Sequence, residues 1–471
     1  MHRYTKIQNI LLPVGEPMEN LLKLHMKPDV EYAELRVARI SNLVIEMKNG
    51  EVTKCVQGTD SGLSIRLLSD GALGFSSTSK FGKNEFARCF ENAYKIAKNM
   101  DIHDIKLEDV SIESSTAIWS GRKKHADLSL EEKIRYIGEL YALTKQYNEI
   151  KSVTLSYMES TIENEYYNTH GAKLLTRVPR TAVRMQIVAH SEGAISNITG
   201  SVGGTGELEI LDIYPPAEEL KNKCASAVRL LHAQRAPSGL CTVVADNALT
   251  GVFAHEAVGH ACEADGVVAG SSCLAGKIGE KIGNDIVTIV DDPTLPHQNG
   301  SFPYDDEGTK ARRKVLIDHG YLREFIHSVE TATKLKMSKN GGARAESYAV
   351  PPLVRMSNTY IEGGDYTFEE MLKEIKFGVY AKGSRGGQVD TTKGTFQFSA
   401  EEGFLIENGV LTKPLRDLSL AGDILGVFHQ IDAVGNDVKV GHPGNCGKGQ
   451  WVPVSDGGPH IRIQNARVGG G

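Results

Sequence analysis

The residues with the richest chemistry lie just past the middle of the chain. His255-Glu256-Ala257-Val258-Gly259-His260 is followed by Ala261-Cys262-Glu263-Ala264-Asp265. Two imidazoles flanking a carboxylate are the parts of a metal site with a built-in proton acceptor, and the order is that of a His-Glu-x-x-His helix with one more residue between the histidines. The extra residue matters. On a regular helix positions i and i+4 lie about 40° apart, whereas i and i+5 lie about 140° apart and cannot grip one ion. For His255 and His260 to share a metal the helix must bulge or break between them, and Gly259 is a residue type that permits it. The pair is also compatible with an ordinary polar helix surface. Cys446 adds weight to the metal reading. It sits in Gly444-Asn445-Cys446-Gly447-Lys448-Gly449-Gln450, a stretch too glycine-rich for a packed core strand, with Lys448 nearby to favour a thiolate. Two imidazoles and a thiolate form a three-ligand zinc set with the fourth position open to water. His260 and Cys446 are 186 residues apart, so the C-terminal sheet must fold back over the helix.

The elements that would position these groups can be read from patterning. Residues 32–40, 42–47 and 62–68 read as strands, with Asn49-Gly50 and Asp70-Gly71 supplying the positive φ angles of tight hairpins. Residues 84–99 and 128–147 carry apolar side chains at helical spacing, and residues 151–209 return to strand patterning. A helix over 217–234 runs into Ala236-Pro237-Ser238-Gly239, a linker signal that divides the chain into an N-terminal sheet-and-helix domain (1–235) and a β-rich domain (236–471). In the second half His319-Gly320 and Asn408-Gly409 mark further hairpins. Residues 240–245 read as a buried strand leading to Asp246, which caps the helix that carries the histidines. Strands and long helices do not alternate as a doubly wound sheet requires. The expected class is α+β, with the metal helix in a barrel-like, mainly antiparallel C-terminal domain.

Composition narrows the setting. With 471 residues, the chain exceeds one ordinary core. Lys plus Arg number 53 against 59 Asp plus Glu, a formal charge of -6 that gives no nucleic-acid-coating surface. No apolar run reaches the ~18–20 residues of a membrane span. The patch Ile10, Leu11 and Leu12 lacks the form of a leader, so the expectation is mature protein from the first residue, without a membrane partner. Seven scattered cysteines without a CxxC fit a reducing cytoplasm. No GxSxG elbow and no GxxxxGK[ST] loop is present. The 49 glycines are unusual against 16 prolines, and a share of them clusters at Gly259, Gly386-Gly387, Gly444 and Gly447.

The chain carries a longer ordered set of segments: the His255–His260 motif; Val290-Asp291-Asp292-Pro293; Asp305-Asp306-Glu307-Gly308; Glu346-Ser347-Tyr348; Arg355-Met356-Ser357-Asn358-Thr359; Gly386-Gly387-Gln388-Val389-Asp390; Val434-Gly435-Asn436-Asp437; Cys446-Gly447-Lys448; and Val468-Gly469-Gly470. In this it resembles the TldD/PmbA family of metallopeptidases, specifically the TldD branch that keeps the metal motif. One departure is the run Cys446-Gly447-Lys448-Gly449-Gln450, a residue shorter than expected of bacterial members before the Gly-Gln. The resemblance implies one zinc per chain, with His255, His260 and Cys446 as ligands and Glu256 as the catalytic glutamate. It further implies hydrolysis of unfolded or extended peptides in the cytoplasm, and either a homodimer or a heterodimer with a motif-less family member. A non-catalytic peptide-binding or regulatory subunit of a two-protein protease is the alternative, disfavoured by the intact motif.

The chemistry expected is metal-assisted amide hydrolysis, in which zinc lowers the pKa of its water toward ~7 and Glu256 takes the proton and delivers it to the leaving nitrogen. Gly386, Gly387 and Gln388 could let an extended peptide add to a sheet edge, although a β-bulge would look the same. Asp305-Asp306-Glu307 could orient a ligand imidazole or be a solvated turn. Glu263 and Asp265 could accept a hydrogen bond from a ligand or be helix-surface acids. Cys262 reads as a core thiol.

Overall fold

The computed structural model describes residues 18–101 and 103–470, so the patch at residues 10–12 lies outside the described residues. The N-terminal half is one seven-stranded sheet. Its strands are β1 (Val30–Lys48), β2 (Glu51–Ser69), β3 (Ala72–Thr78), β4 (Ser115–Ile118), β5 (Ile150–Asn168), β6 (Lys173–Ser191) and β7 (Ala194–Thr205). They run in the order β3-β2-β1-β5-β6-β4, with β7 also on β6. The expected break between 40 and 42 is absent: Ser41 and Asn42 pair without interruption with Thr59 and Gly58. Alternation, the period-2 signal, decides the faces. Leu35, Val37, Leu43, Ile45 and Met47 of β1 are buried, as are Val153, Leu155 and Tyr157 of β5 and Val183, Met185 and Ile187 of β6. One end of this face is covered by the helix Lys83–Lys98, through Phe86, Phe90 and Ala93. The other end is covered by Leu130–Ala142 and Pro216–Leu230. Ser129 and Glu132 form a reciprocal cap at the start of the second helix, which is why it begins there.

The even-numbered residues, among them Arg36, Ala38 and Ile40 of β1, face the C-terminal half instead. That half is α+β and dominated by two sheets, one of ten strands and one of six, paired mainly antiparallel. Gly239–Ala245 lies inside the larger sheet, antiparallel to Ile461–Gly470 and parallel to Phe377–Lys382. The smaller sheet ends in Asn358–Ile361, Trp451–Gly458 and Lys439–Gly447. The helix that follows Gly239–Ala245 packs on strands of both sheets. Its Phe253 ring meets Phe396, Phe398 and Phe428 edge-on at 5.2, 5.5 and 5.1 Å, which buries the helix in the largest core of the molecule.

The halves are joined by buried charge. Arg66 Nε lies 2.9 Å from Glu34, its Nη1 donates to Glu307 Oε1 at 2.7 Å, and Tyr32 and Tyr166 hydroxyls complete the shell of Glu34 at 2.7 and 3.0 Å. Glu307 Oε2 also accepts from the Val329 backbone N–H at 2.7 Å. Removing one partner strands the others in a low-dielectric setting. Arg66→Ala is expected to destabilise the fold by about 3–5 kcal/mol, read as a lower urea midpoint. An unchanged midpoint would show that the cluster does not hold the halves together.

Candidate metal centre

Asp246 opens the helix as the sequence predicts, its Oδ1 accepting from the Leu249 N–H at 2.9 Å while Oδ2 accepts from Gly383 N–H at 2.9 Å. The helix is regular over Asn247–Phe253, widens into a π-turn over Ala254–Gly259 and tightens over His260–Cys262. The His260 N–H bonds to the His255 carbonyl, closing the loop over five residues. A turn closed i to i+5 brings the two histidines onto one side, which is the deformation their spacing demands. Gly259 has a different role from the one expected of it. Its φ of -53° is ordinary right-handed helix, but a Cβ there would lie 1.9 Å from Met356 Sδ. The glycine provides room for a neighbour and no unusual backbone angle.

The stretch around Cys446 also corrects an expectation. It is a paired strand, Lys439–Gly447, with Cys446 opposite Val452 and 5% exposed. Lys448 does not serve the thiol: its ammonium bonds both Asp265 oxygens at 2.7 Å and lies 3.1 Å from Glu263 Oε2. The strand carries the thiol to the helix directly. One ligand atom from each of His255, His260 and Cys446 lies within 4.8 Å of the other two. Cys446 Sγ is 3.4 Å from His260 Nε2, and the imidazole rings stand perpendicular with centroids 5.2 Å apart. Glu256 Oε2 is 3.9 Å from His260 Nε2. Along this turn Val252, Glu256 and His260 are partly exposed while most of their neighbours are buried, so the site opens on their side.

The electrostatics suit a cation-binding site. Burial would raise the Cys446 pKa, but hydrogen bonds from His255 and His260 bring it to about 5, making a thiolate. Burial opposes charging His260, and Glu263 and Cys446 nevertheless push its pKa well above the usual range. Burial raises the Glu256 carboxyl, with the two imidazoles working against it. His255 Nδ1 is buried without a hydrogen-bond partner among the described residues. Two imidazoles and a thiolate whose ligand atoms converge in this way are a donor set for a divalent ion such as zinc.

Glu263, which sequence left open between two roles, accepts from His260 Nδ1 at 3.1 Å. That bond turns Nε2 toward Cys446 and fixes the ring. Burial opposes the charge on Glu263, but His260 and Lys448 hold its pKa below the usual carboxylate value. Arg355 was passed over as a site residue. Its Nη2 donates to the Cys446 carbonyl at 2.6 Å and its Nη1 to the Gln450 carbonyl at 2.8 Å, while its Nε lies 3.9 Å from Glu263. Only its place in the segment Arg355-Met356-Ser357 pointed to it. Cys262 is buried in the core, as read. Asp305-Asp306-Glu307 stands away from the imidazoles: Asp305 accepts from the Glu307, Thr309 and Ala343 N–H groups, Asp306 faces Arg36 at 3.4 Å, and Glu307 serves Arg66. Gly387–Asp390 is the terminal strand of the ten-stranded sheet and packs on the π-turn. Gly386 has φ +90° in open space, whereas a Cβ on Gly387 would meet the Phe398 ring at 2.1 Å.

Comparison with known proteins identifies relatives over most of the chain. Three family models match, described as PmbA/TldA metallopeptidase domain 1 over 33–97, central domain over 123–235 and C-terminal domain over 238–470. A protein of Methanothermobacter thermautotrophicus named a metalloprotease is 40% identical, the match covering 94% of this chain and 96% of that one. A protein of Saccharolobus solfataricus named a zinc metalloprotease TldD homolog is 30% identical over 93% and 96% of the two chains. Among solved structures, TldE of Thermococcus kodakarensis superposes with a TM-score of 0.77 at 19% identity, covering 96% of this chain and 100% of that one. This last likeness speaks for the fold alone.

Glu263→Gln keeps the side-chain volume but weakens the acceptor at His260 Nδ1. The expected result is a zinc affinity about 10–100-fold lower, measured by competition with a chromogenic chelator. Unchanged affinity would mean that the bond does not tune the ligand.

Proposed function

The chain belongs to the PmbA/TldD family of metallopeptidases, and from that premise we propose that it is a zinc peptidase cutting unfolded or extended peptides, with His255, His260 and Cys446 as the metal ligands and Glu256 as the general base. The observation that carries the reading is the trio itself: ligand atoms of His255, His260 and Cys446 lie within 4.8 Å of one another, with the Glu256 carboxylate beside them. Zinc held there would supply Lewis acidity, polarising a peptide carbonyl and acidifying water.

The remaining work falls to side chains. Glu256 is raised by burial, and Asp456 nearby adds to the shift, so its carboxylate is a better proton acceptor than an exposed one. In this proposal Glu256 takes the proton of the attacking water at its carboxylate and returns it to the leaving nitrogen. Glu263 and Arg355 keep His260 and the Cys446 strand from moving while this happens. Substrate selection for extended chains is supported by the edge strand Gly387–Asp390: a peptide adding to it would lie along the π-turn with its backbone fixed. Gly386, Gly387 and Gln388 are the residues we assign to that contact. The split near residue 236 and an assembly with a second copy or a motif-less relative belong to the same proposal, the latter supported by the shared fold of TldE.

Glu256→Gln is expected to retain about one zinc per chain while losing a factor of ~10²–10⁴ in hydrolysis of an unstructured peptide. Cys446→Ala is expected to lose the metal. Full activity of the first variant would remove Glu256 from the mechanism, and wild-type zinc affinity in the second would remove the thiolate from the ligand set.

A further inference from the structure

The even-numbered face of the N-terminal sheet and the C-terminal half enclose a cleft of about 790 Å³. Val252, Gly386 and Asp456 line it, so it adjoins the metal turn and the edge strand. A second chamber of about 200 Å³ continues it, sharing Arg184, Ser201 and Pro443 and reaching Asn445, next to Cys446. Three cations line the larger cleft: Arg184, Lys223 and Lys382. Lys223 is held by Glu401 at 2.8 and 2.9 Å and Lys382 by Glu402 at 2.7 Å. The Arg184 guanidinium has no ion pair or hydrogen bond among the described residues, although it borders both chambers.

Its surroundings are ordered. Glu46, Ser156, Arg184 and Ser201 stand opposite one another across β1, β5, β6 and β7. Glu46, the acid of this row, lies two strands from Arg184 and accepts from Thr53 Oγ1 at 2.7 Å. Hydroxyls therefore flank the guanidinium on both neighbouring strands. Further along β6, about 13 Å away on the same face, Arg180 is tied to the Asn299 and Ser301 carbonyls. Burial and Arg344 lower its pKa to about 9 despite Asp306. Carboxylates also line the two chambers, Glu159 the smaller and Glu46, Glu219, Asp246, Glu401 and Asp456 the larger.

We propose that Arg184 binds a carboxylate of the peptide lying in the cleft, which makes the enzyme selective for substrates with a negative charge at a fixed distance from the cut bond. A guanidinium offers two parallel N–H donors to a carboxylate, and this one, exposed on the cleft wall, has no internal pair to break first. The carboxylate has two sources, the C-terminus of the peptide or an Asp or Glu side chain. This inference rests on the peptidase reading above.

The test uses full-length zinc-loaded protein carrying Glu256→Gln, so that peptides bind without being cut, and fluorescence anisotropy of labelled neutral decapeptides. One arm compares a free C-terminus with an amide; the other keeps the amide and moves a single Glu along the peptide. A carboxylate is expected to tighten binding about tenfold in one arm. Arg184→Gln should abolish that gain and leave the neutral amidated peptide unaffected, while Arg184→Lys restores part of it. In the enzyme with Glu256 intact, Arg184→Gln should raise KM for the carboxylate peptide at constant kcat. A gain in the first arm identifies the C-terminus and in the second a side chain. No gain in either arm, or the same gain in Arg184→Gln, overturns the proposal. If the wild type cuts no peptide, the peptidase reading fails, and the anisotropy comparison still decides the role of Arg184.

Discussion

Two histidines on a helix and a cysteine on a distant hairpin meet because one buried guanidinium spans the gap between them. Arg355 holds the carbonyl of Cys446 with one nitrogen and faces Glu263 with another, and Glu263 holds His260. Arg355 is 1% exposed, so its charge must be answered locally or not carried at all. The carboxylate and carbonyls that answer it are those that set the ligand positions. Lys448 secures the other side of Glu263 and anchors on Asp265. Pre-positioning of the site is thus electrostatic as much as steric.

The π-turn depends on this arrangement. A wider turn costs helix regularity, and the fold compensates with close packing around it: Phe253 among three phenylalanines on one side and Met356 against the bare Cα of Gly259 on the other. The edge strand beyond Gly386 lies on the same turn. Packing, ligand geometry and the wall of the cleft converge on six residues of helix.

Local signals were legible in the sequence wherever they act locally. The cap at Asp246 and the hairpins at Asn49-Gly50, Asp70-Gly71, His319-Gly320 and Asn408-Gly409 all appear, with positive φ at each of these hairpin positions. The bulge between the histidines followed from helix geometry. What sequence could not give was the partner of each charge. Glu263 and Asp265 look alike in sequence, yet one supports His260 and the other anchors Lys448. Asp305-Asp306-Glu307 looks like a site and is a joint between the halves. Lys448 is two residues from Cys446 in sequence and occupied by carboxylates in space. The glycines misled for a related reason: a glycine can serve an angle or a neighbour, and only the neighbour's position tells which.

The separation of the ligands has a thermodynamic side as well. An ion shared by His260 and Cys446, as proposed, would close a loop of 186 residues. In the chain-entropy account such a closure, made in the unfolded chain, removes on the order of 5 kcal/mol of conformational freedom. Bound metal would then act as a reversible cross-link, tying the helix to the last hairpin as a disulfide would in an oxidising compartment. Resistance to unfolding and metal occupancy become one linked quantity, so the protein's lifetime would follow the supply of its ion.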